Sequence, residues 1–453
     1  MRYFIFIFIL FINSFNSIAK AETDLNKLLQ PQEVKQDMDQ WIEFIDKTHP
    51  QLSYTVENVD AFYSDIETFK ESINKPITVL DFWRKVTVFN KTLSDGHTVI
   101  NLPKLKTLAN QHIKNGGGLF PYRVVFNNNK LVIKSTIDNK PTELRGYEIL
   151  EINGQRTENF IAPLLNRTNG DTDSFRKALL QKKMAEYIWL YYGNIDTFDL
   201  QLIKFGKSLS KNVPASEVEF NLDDVFSDNF KFEILDQENA LLTINTFSWG
   251  AEYKDVVTYL HGVFEKLNNS LVTHLIIDVR ENGGGDDVIW IDGILPYLSD
   301  KPWRTGSKYK VKVLEGRASK ENKVGDVVEG EVSLREFNTE VTKFSGDVSV
   351  LISDFTYSSS ILFANVIQDH NFGQLVGEPT GGRSGQTGGT QFLTLENSNL
   401  QVISPRFYLE RPKGGQTHEP VEPDLYINYD KTIPEQLINK LVIRRSLSSG
   451  EAP

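Results

Sequence analysis

Two stretches of this chain, HLIIDV at His274–Val279 and VSVLIS at Val348–Ser353, are apolar on both faces. Successive side chains of a strand point to opposite sides, so a strand with one wet face alternates apolar and polar residues. One that does not alternate has to be covered on both sides, as in a sheet with helices on both faces. The neighbouring sequence supplies the cover. ALLTINTF reads as a further strand, EYKDVVTYLHGVFEKLNN carries apolar residues at three- and four-residue spacing, and SSILFANVIQD follows VSVLISD as a second helix. GQLVGEP, GTQFLTL and LQVISPRFYL add strands, and a polar insertion lies around 305–340. Residues 211–445 are therefore expected to form an α/β core.

The preceding chain has a different texture. Residues 22–110 are expected to be helical, with VKQDMDQWIEFIDKTHP, DAFYSDIETFKESI and DFWRKVTVFNKTL punctuated by Pro50 and Pro76. This region closes on LSDGHTVINLP, a turn leading into a short strand. From 111 to 210 short strands take over (YRVVF, KLVIKST), followed by GYEILEINGQ and a helix. GYEILEINGQ resembles the PDZ-domain segment in which an apolar strand meets an Asn-Gly turn. That likeness implies a small β module whose strand edge takes up an extended peptide; an ordinary hairpin with an Asn-Gly turn has the same pattern.

Residues 1–21 read as a signal peptide: Arg2, an apolar run from Tyr3 to Ile12 too short to cross a bilayer, and Ala19-Lys20-Ala21 as a small-x-small cleavage site. The expected mature chain begins at about Glu22 in a periplasmic or secreted protein, with no stable membrane insertion. There is no cysteine, hence no disulfide framework and no lipid-modified cysteine. Removal of Arg2 and Lys20 takes the formal charge from −11 to −13. So acidic a chain without a long basic run is a poor nucleic-acid binder.

Three elements offer chemistry. Ser358, Ser359 and Ser360 stand where a strand becomes a helix, a place that suits either capping or an oxyanion beside unpaired amides. LIIDVRENGGGDD ends a strand in three glycines, which let backbone amides approach a bound group. His97, in SDGHTV, sits in a turn where an imidazole is accessible for proton transfer; His418 in GGQTHEPVEPD is its rival. No His/Asp/Glu cluster has metal-ligand spacing, and no cofactor is expected.

LIIDVRENGGG, then VLISDFTYSSSILFANVIQDHNFGQLVGEPTGGRSGQ, then VEPDLYI are collinear and similar to the serine peptidases of the C-terminal-processing (tail-specific) and tricorn group. The resemblance covers most of 236–428. It implies a crotonase-like (spiral) α/β catalytic core and, with TYSSSI on the family's six-residue serine motif, a nucleophile at Ser358. The oxyanion hole it implies is the Ser359 amide with a loop glycine, Gly284. Where the C-terminal-processing branch places its lysine base stands Arg383, which cannot release its proton. SDGHT resembles the histidine segment of the tricorn branch, making His97 the implied base and Glu419 its implied carboxylate, with Glu422 and Asp424 as alternatives. The expected activity is endopeptidase cleavage of a peptide or protein substrate; a silent peptide- or ligand-binding relative and an esterase are the alternatives.

Overall fold

The computed structural model describes residues 23–449 except 416. The expected signal peptide at 1–21 lies outside the described residues.

The core sheet has six strands: β1 (Phe230–Ile234), β2 (Asn239–Ile244), β3 (His274–Asp278), β4 (Asp347–Ile352), β5 (Gln374–Gly377) and β6 (Leu425–Tyr426). They lie side by side in chain order. The β1–β2 pair is antiparallel and every later pair is parallel. Burial explains why β3 and β4 carry no polar stripe. Leu275, Ile277, Val350 and Ile352 pack on one face with the buried sides of helices Tyr253–Asn268 and Ser359–Asp369. Ile276, Leu351 and Val376 pack on the other with Leu437 and Leu441 of helix Glu435–Ser449. The period-2 alternation is present, but both phases are apolar because both sheet faces are covered.

Helices Pro31–Thr48, Val59–Ser72 and Val79–Val86 fill the N-terminal region. The Asn58 and Thr78 side chains accept from the amides of Ala61 and Asp81, capping the second and third. A five-strand antiparallel run, with the short strand Gln155–Arg156 hairpinned to Glu148–Ile152, makes up the small β module. Asn153 and Gly154 both have positive φ (49° and 75°), as a tight hairpin turn requires. These helices and the module share a single hydrophobic core, to which Leu395, Leu400 and Val402 of the distant hairpin Gln391–Ser404 also contribute. That hairpin pairs with Val99–Asn101, just after His97.

The polar insertion is partly ordered into sheet. Lys308–Lys312 and Val327–Glu331 form a hairpin that extends a sheet containing Phe407–Leu409 and Gln386–Gly388. Helix Asp173–Tyr192, capped by Thr172, spans from the small module to the core: Gln181 accepts from the Phe126 amide, and Phe175 stacks on Tyr357 at 3.9 Å.

Candidate active site

Ser358 occupies the cap position of helix Ser359–Asp369 but makes no capping hydrogen bond. Its backbone is at φ 56°, ψ −123°, a conformation costing a non-glycine residue on the order of 1–3 kcal/mol. The surrounding turn holds it there. Ser353 Oγ donates to the Arg280 carbonyl (2.6 Å), Thr356 Oγ1 to the Val279 carbonyl (3.0 Å), and the Tyr357 amide to the Asn282 carbonyl (3.1 Å). The β4 turn is thus bolted to the loop that follows β3, and the Ser358 hydroxyl is left free for another partner.

That partner is His97, whose Nε2 lies 2.9 Å from Ser358 Oγ across 261 residues of sequence. Asp95 shapes the turn that carries the imidazole, accepting from the His97 amide (3.0 Å) and from Thr98 Oγ1 (2.6 Å). The Gly96 amide donates to Asp171 Oδ1 at 2.8 Å, and a Cβ at Gly96 would collide with the Tyr357 ring and hydroxyl. Only glycine lets the turn close on Tyr357.

On the other side of the ring, Nδ1 is 3.0 Å from Thr387 Oγ1 and 3.3 Å from the Tyr357 hydroxyl. Both hydroxyls spend their single proton elsewhere: Thr387 donates to Asp95 Oδ1 (2.9 Å) and Tyr357 to Asp171 Oδ1 (2.8 Å). Toward the imidazole they are therefore acceptors, so the proton of the neutral ring sits on Nδ1 and the lone pair of Nε2 faces Ser358. Asp95 Oδ1 itself is 4.0 Å from Nδ1. Asp95 and Asp171 are both buried. Burial, and then the Asp95 charge, push the Asp171 carboxyl up, while Arg383 pulls it down. Arg383 braces this corner, its amide donating to Asp171 Oδ2 and its guanidinium to the carbonyl and hydroxyl of Ser94.

The expected carboxylate Glu419 is not among the groups around the ring. Its side chain is exposed, and its carbonyl accepts from the Ser384 amide at 2.7 Å, in the stretch where Arg383 bridges to Pro420. Glu422 is exposed as well, and Asp424 accepts from Gln368 and from the Leu375 amide. His418 packs tilted against Tyr54, ring centroids 4.5 Å apart, and is exposed. The acids by the imidazole are Asp95 and Asp171 instead. Asp95 lies inside the SDGHT stretch and was open to view; Asp171 and Thr387 come from distant segments with no local signature.

Gly284 (φ 107°) faces the serine turn so closely that a Cβ there would stand 2.6 Å from Ser358 Cβ and 3.1 Å from the Ser359 nitrogen. Its own amide donates to Asn282 Oδ1 at 2.9 Å. The Ser359 amide, at the first helical position, has no acceptor among the described residues. Also among the described residues, no group of three or more His, Asp or Glu side chains is placed to hold a metal ion, and no helix is long and apolar enough to cross a membrane.

Residues 239–427, the stretch that holds the serine turn and the glycine loop, match the model of Peptidase family S41. Over these residues the chain is similar to that family, and its core is that of a serine peptidase. Two solved structures similar to the peptidase over nearly its whole length are mature CPAF and mature CPAF complexed with lactacystin. They superpose with TM-scores of 0.67 and 0.65 at 12% identity, each covering 93% of this chain and 99% of the other. At that identity the likeness shows a shared fold. No curated protein sequence matches the peptidase significantly.

Proposed function

We propose that the protein is an exported endopeptidase in which Ser358 attacks the peptide carbonyl and His97 takes its proton. The observation that carries this reading is the 2.9 Å contact between Ser358 Oγ and the Nε2 lone pair, made by a serine held off its capping role. As Oγ adds to the carbonyl carbon, its proton passes to Nε2, and the carbonyl oxygen becomes an oxyanion beside the Ser359 amide. Gly284 joins as a second donor by releasing Asn282 Oδ1. The imidazolium then gives the Nε2 proton to the departing amine, leaving an ester on Ser358. Water, deprotonated by the same Nε2, hydrolyses the ester. Asp95 and Asp171 favour the charged ring through the Thr387 and Tyr357 hydroxyls, the role the sequence had assigned to Glu419. Arg383, always charged, is structural in this scheme.

The chain-order sheet supports reading the core as crotonase-like, and the Asn-Gly hairpin supports a PDZ-like module that docks extended substrate. Equal kcat/KM for a long unfolded substrate and a short peptide with the same cleavage sequence tells against docking. Export predicts a native N-terminus at about Glu22; N-terminal sequencing that reads from Met1 excludes it. For the chemistry, a peptide phosphonate should label Ser358 in the native enzyme and leave Ser358→Ala unlabelled. No label with retained peptide binding would make the protein a silent binder, and ester turnover without peptide turnover would make it an esterase.

A further inference from the structure

The side chain of Ser359, next to the reacting serine, is tied down at both ends of its hydrogen-bonding capacity. Its Oγ donates to Asp287 Oδ1 at 2.5 Å and accepts from the Trp290 indole N–H at 2.9 Å. Ser359 is 2% exposed and Trp290 fully buried, so neither bond competes freely with water. A hydroxyl with its donor and one acceptor site engaged in fixed directions has one rotamer. Because Ser359 opens its helix, that rotamer also limits how its backbone can turn. Both partners belong to the segment that follows the three glycines: Asp287 flanks helix Val288–Gly293, and Trp290 lies within it. The two halves of the expected oxyanion pocket, the helix terminus and the glycine loop, are thereby joined by side chains as well as by proximity.

We propose that Asp287 and Trp290 are positioning residues that hold Ser359 so that its amide N–H is aimed at the oxyanion. The proposal rests on the reading of Ser358 as nucleophile. It asks for an acceptor at position 287 rather than a charge. Burial pushes the Asp287 carboxyl up to about 6; the Ser359 hydroxyl, the Trp290 indole and the Arg335 charge oppose this, and the neighbouring Asp286 charge adds to it. Removing the Ser359 hydroxyl takes away a bond to the charged form, so Asp287 should then titrate higher.

The test uses the full-length mature enzyme and its variants Ser359→Ala, Asp287→Ala and Asp287→Asn, with kcat and KM on a peptide and carboxyl titration by carbon-13 NMR. Misaiming one oxyanion donor should lower kcat about 10- to 100-fold in Ser359→Ala and Asp287→Ala, with KM within about twofold. The double alanine variant should be little worse than either single one, and Asp287→Asn should restore most of the loss. The Asp287 midpoint should rise above its native value of about 6 in Ser359→Ala. Wild-type kcat in Ser359→Ala, Asp287→Asn as poor as Asp287→Ala, or an unmoved Asp287 midpoint each overturns the proposal. Full turnover by Ser358→Ala would instead overturn the nucleophile, while the midpoint shift still tests the tether.

Discussion

Replacing Thr387 by valine keeps the shape of the residue and deletes the hydroxyl that lies between His97 and Asp95. In the native site Thr387 Oγ1 accepts from Nδ1–H at 3.0 Å and donates to Asp95 at 2.9 Å. The ring keeps one other acceptor, the Tyr357 hydroxyl at 3.3 Å, longer and therefore weaker. A hydrogen bond involving a charged partner is worth about 1.5–3 kcal/mol. If half to all of that is lost from the transition state, where the ring is cationic, kcat should fall about 4- to 150-fold. Tyr357→Phe alone should cost less. The double variant leaves Nδ1–H without either acceptor, removes the preference for the productive tautomer, and should approach the ~10⁴-fold loss expected of a mis-set triad imidazole. The assay is steady-state cleavage of a fluorogenic peptide, with circular dichroism to confirm folding. A folded double variant within threefold of wild-type kcat would refute the hydroxyl relay and return the search to Glu419, Glu422 or Asp424.

Other consequences follow from the same geometry. Ser358→Ala and His97→Ala should each lower kcat by up to about 10⁶-fold, with the double variant little worse; additive losses would mean the two do not act as a unit. Arg383→Lys should not rescue His97→Ala, because residue 383 is directed at Ser94 and Asp171; recovered turnover would show a lysine base at work. Gly96→Ala should push the Tyr357 ring away from Nδ1 and lower kcat at least tenfold while costing about 1–3 kcal/mol of stability, measured by urea unfolding. Burial lowers the pKa of His274 to about 4, so the unfolded chain, titrating near 6.5, binds the extra proton. The stability this contributes is complete above about pH 6.5 and is lost as pH falls toward 4. Urea unfolding should show roughly 2 kcal/mol less stability from this group at pH 5 than at pH 7, a difference that His274→Gln abolishes if the assignment is right.

What could be read in advance depended on how far apart the cooperating residues lie. β3 and β4 were legible because burial on both faces writes itself into every residue of a strand, and helices Tyr253–Asn268 and Ser359–Asp369 were legible from their three- and four-residue apolar spacing. Ser358 and the glycine loop were legible as a local motif, and His97 as a turn residue beside glycine. Asp171 and the Thr387 hydroxyl were not. Thr387 reaches the imidazole from a strand of the second sheet and Asp171 reaches it only through the Tyr357 hydroxyl, from a helix-capping turn; they lie 290 and 74 residues away in sequence, and neither position carries a pattern of its own. The insertion around 305–340 likewise read only as polar, without assigned strands, because its hairpin has one exposed edge and a mixed burial pattern. Its sheet nevertheless contains the strand that places Thr387.

The run of three serines gains its sense from the different fates of its members. Ser358, forced to positive φ, cannot cap, and its hydroxyl is handed to His97. Ser359 turns inward to Asp287 and Trp290. Ser360 is fully buried, and its Oγ has no partner among the described residues. An ordinary capping serine would have stabilised the helix by about 1 kcal/mol; here that contribution is forgone and backbone strain is added. The turn's hydrogen bonds to Val279, Arg280 and Asn282 must offset both, which ties the conformation of Ser358 to the glycine loop. Loosening the turn should therefore impair the site before it unfolds the protein. Thr356→Val, which deletes the bond to Val279, should relax Ser358 toward an ordinary cap and slow phosphonate labelling while leaving the unfolding midpoint within a few degrees. Labelling at the native rate would show that the strain is held by something other than this turn.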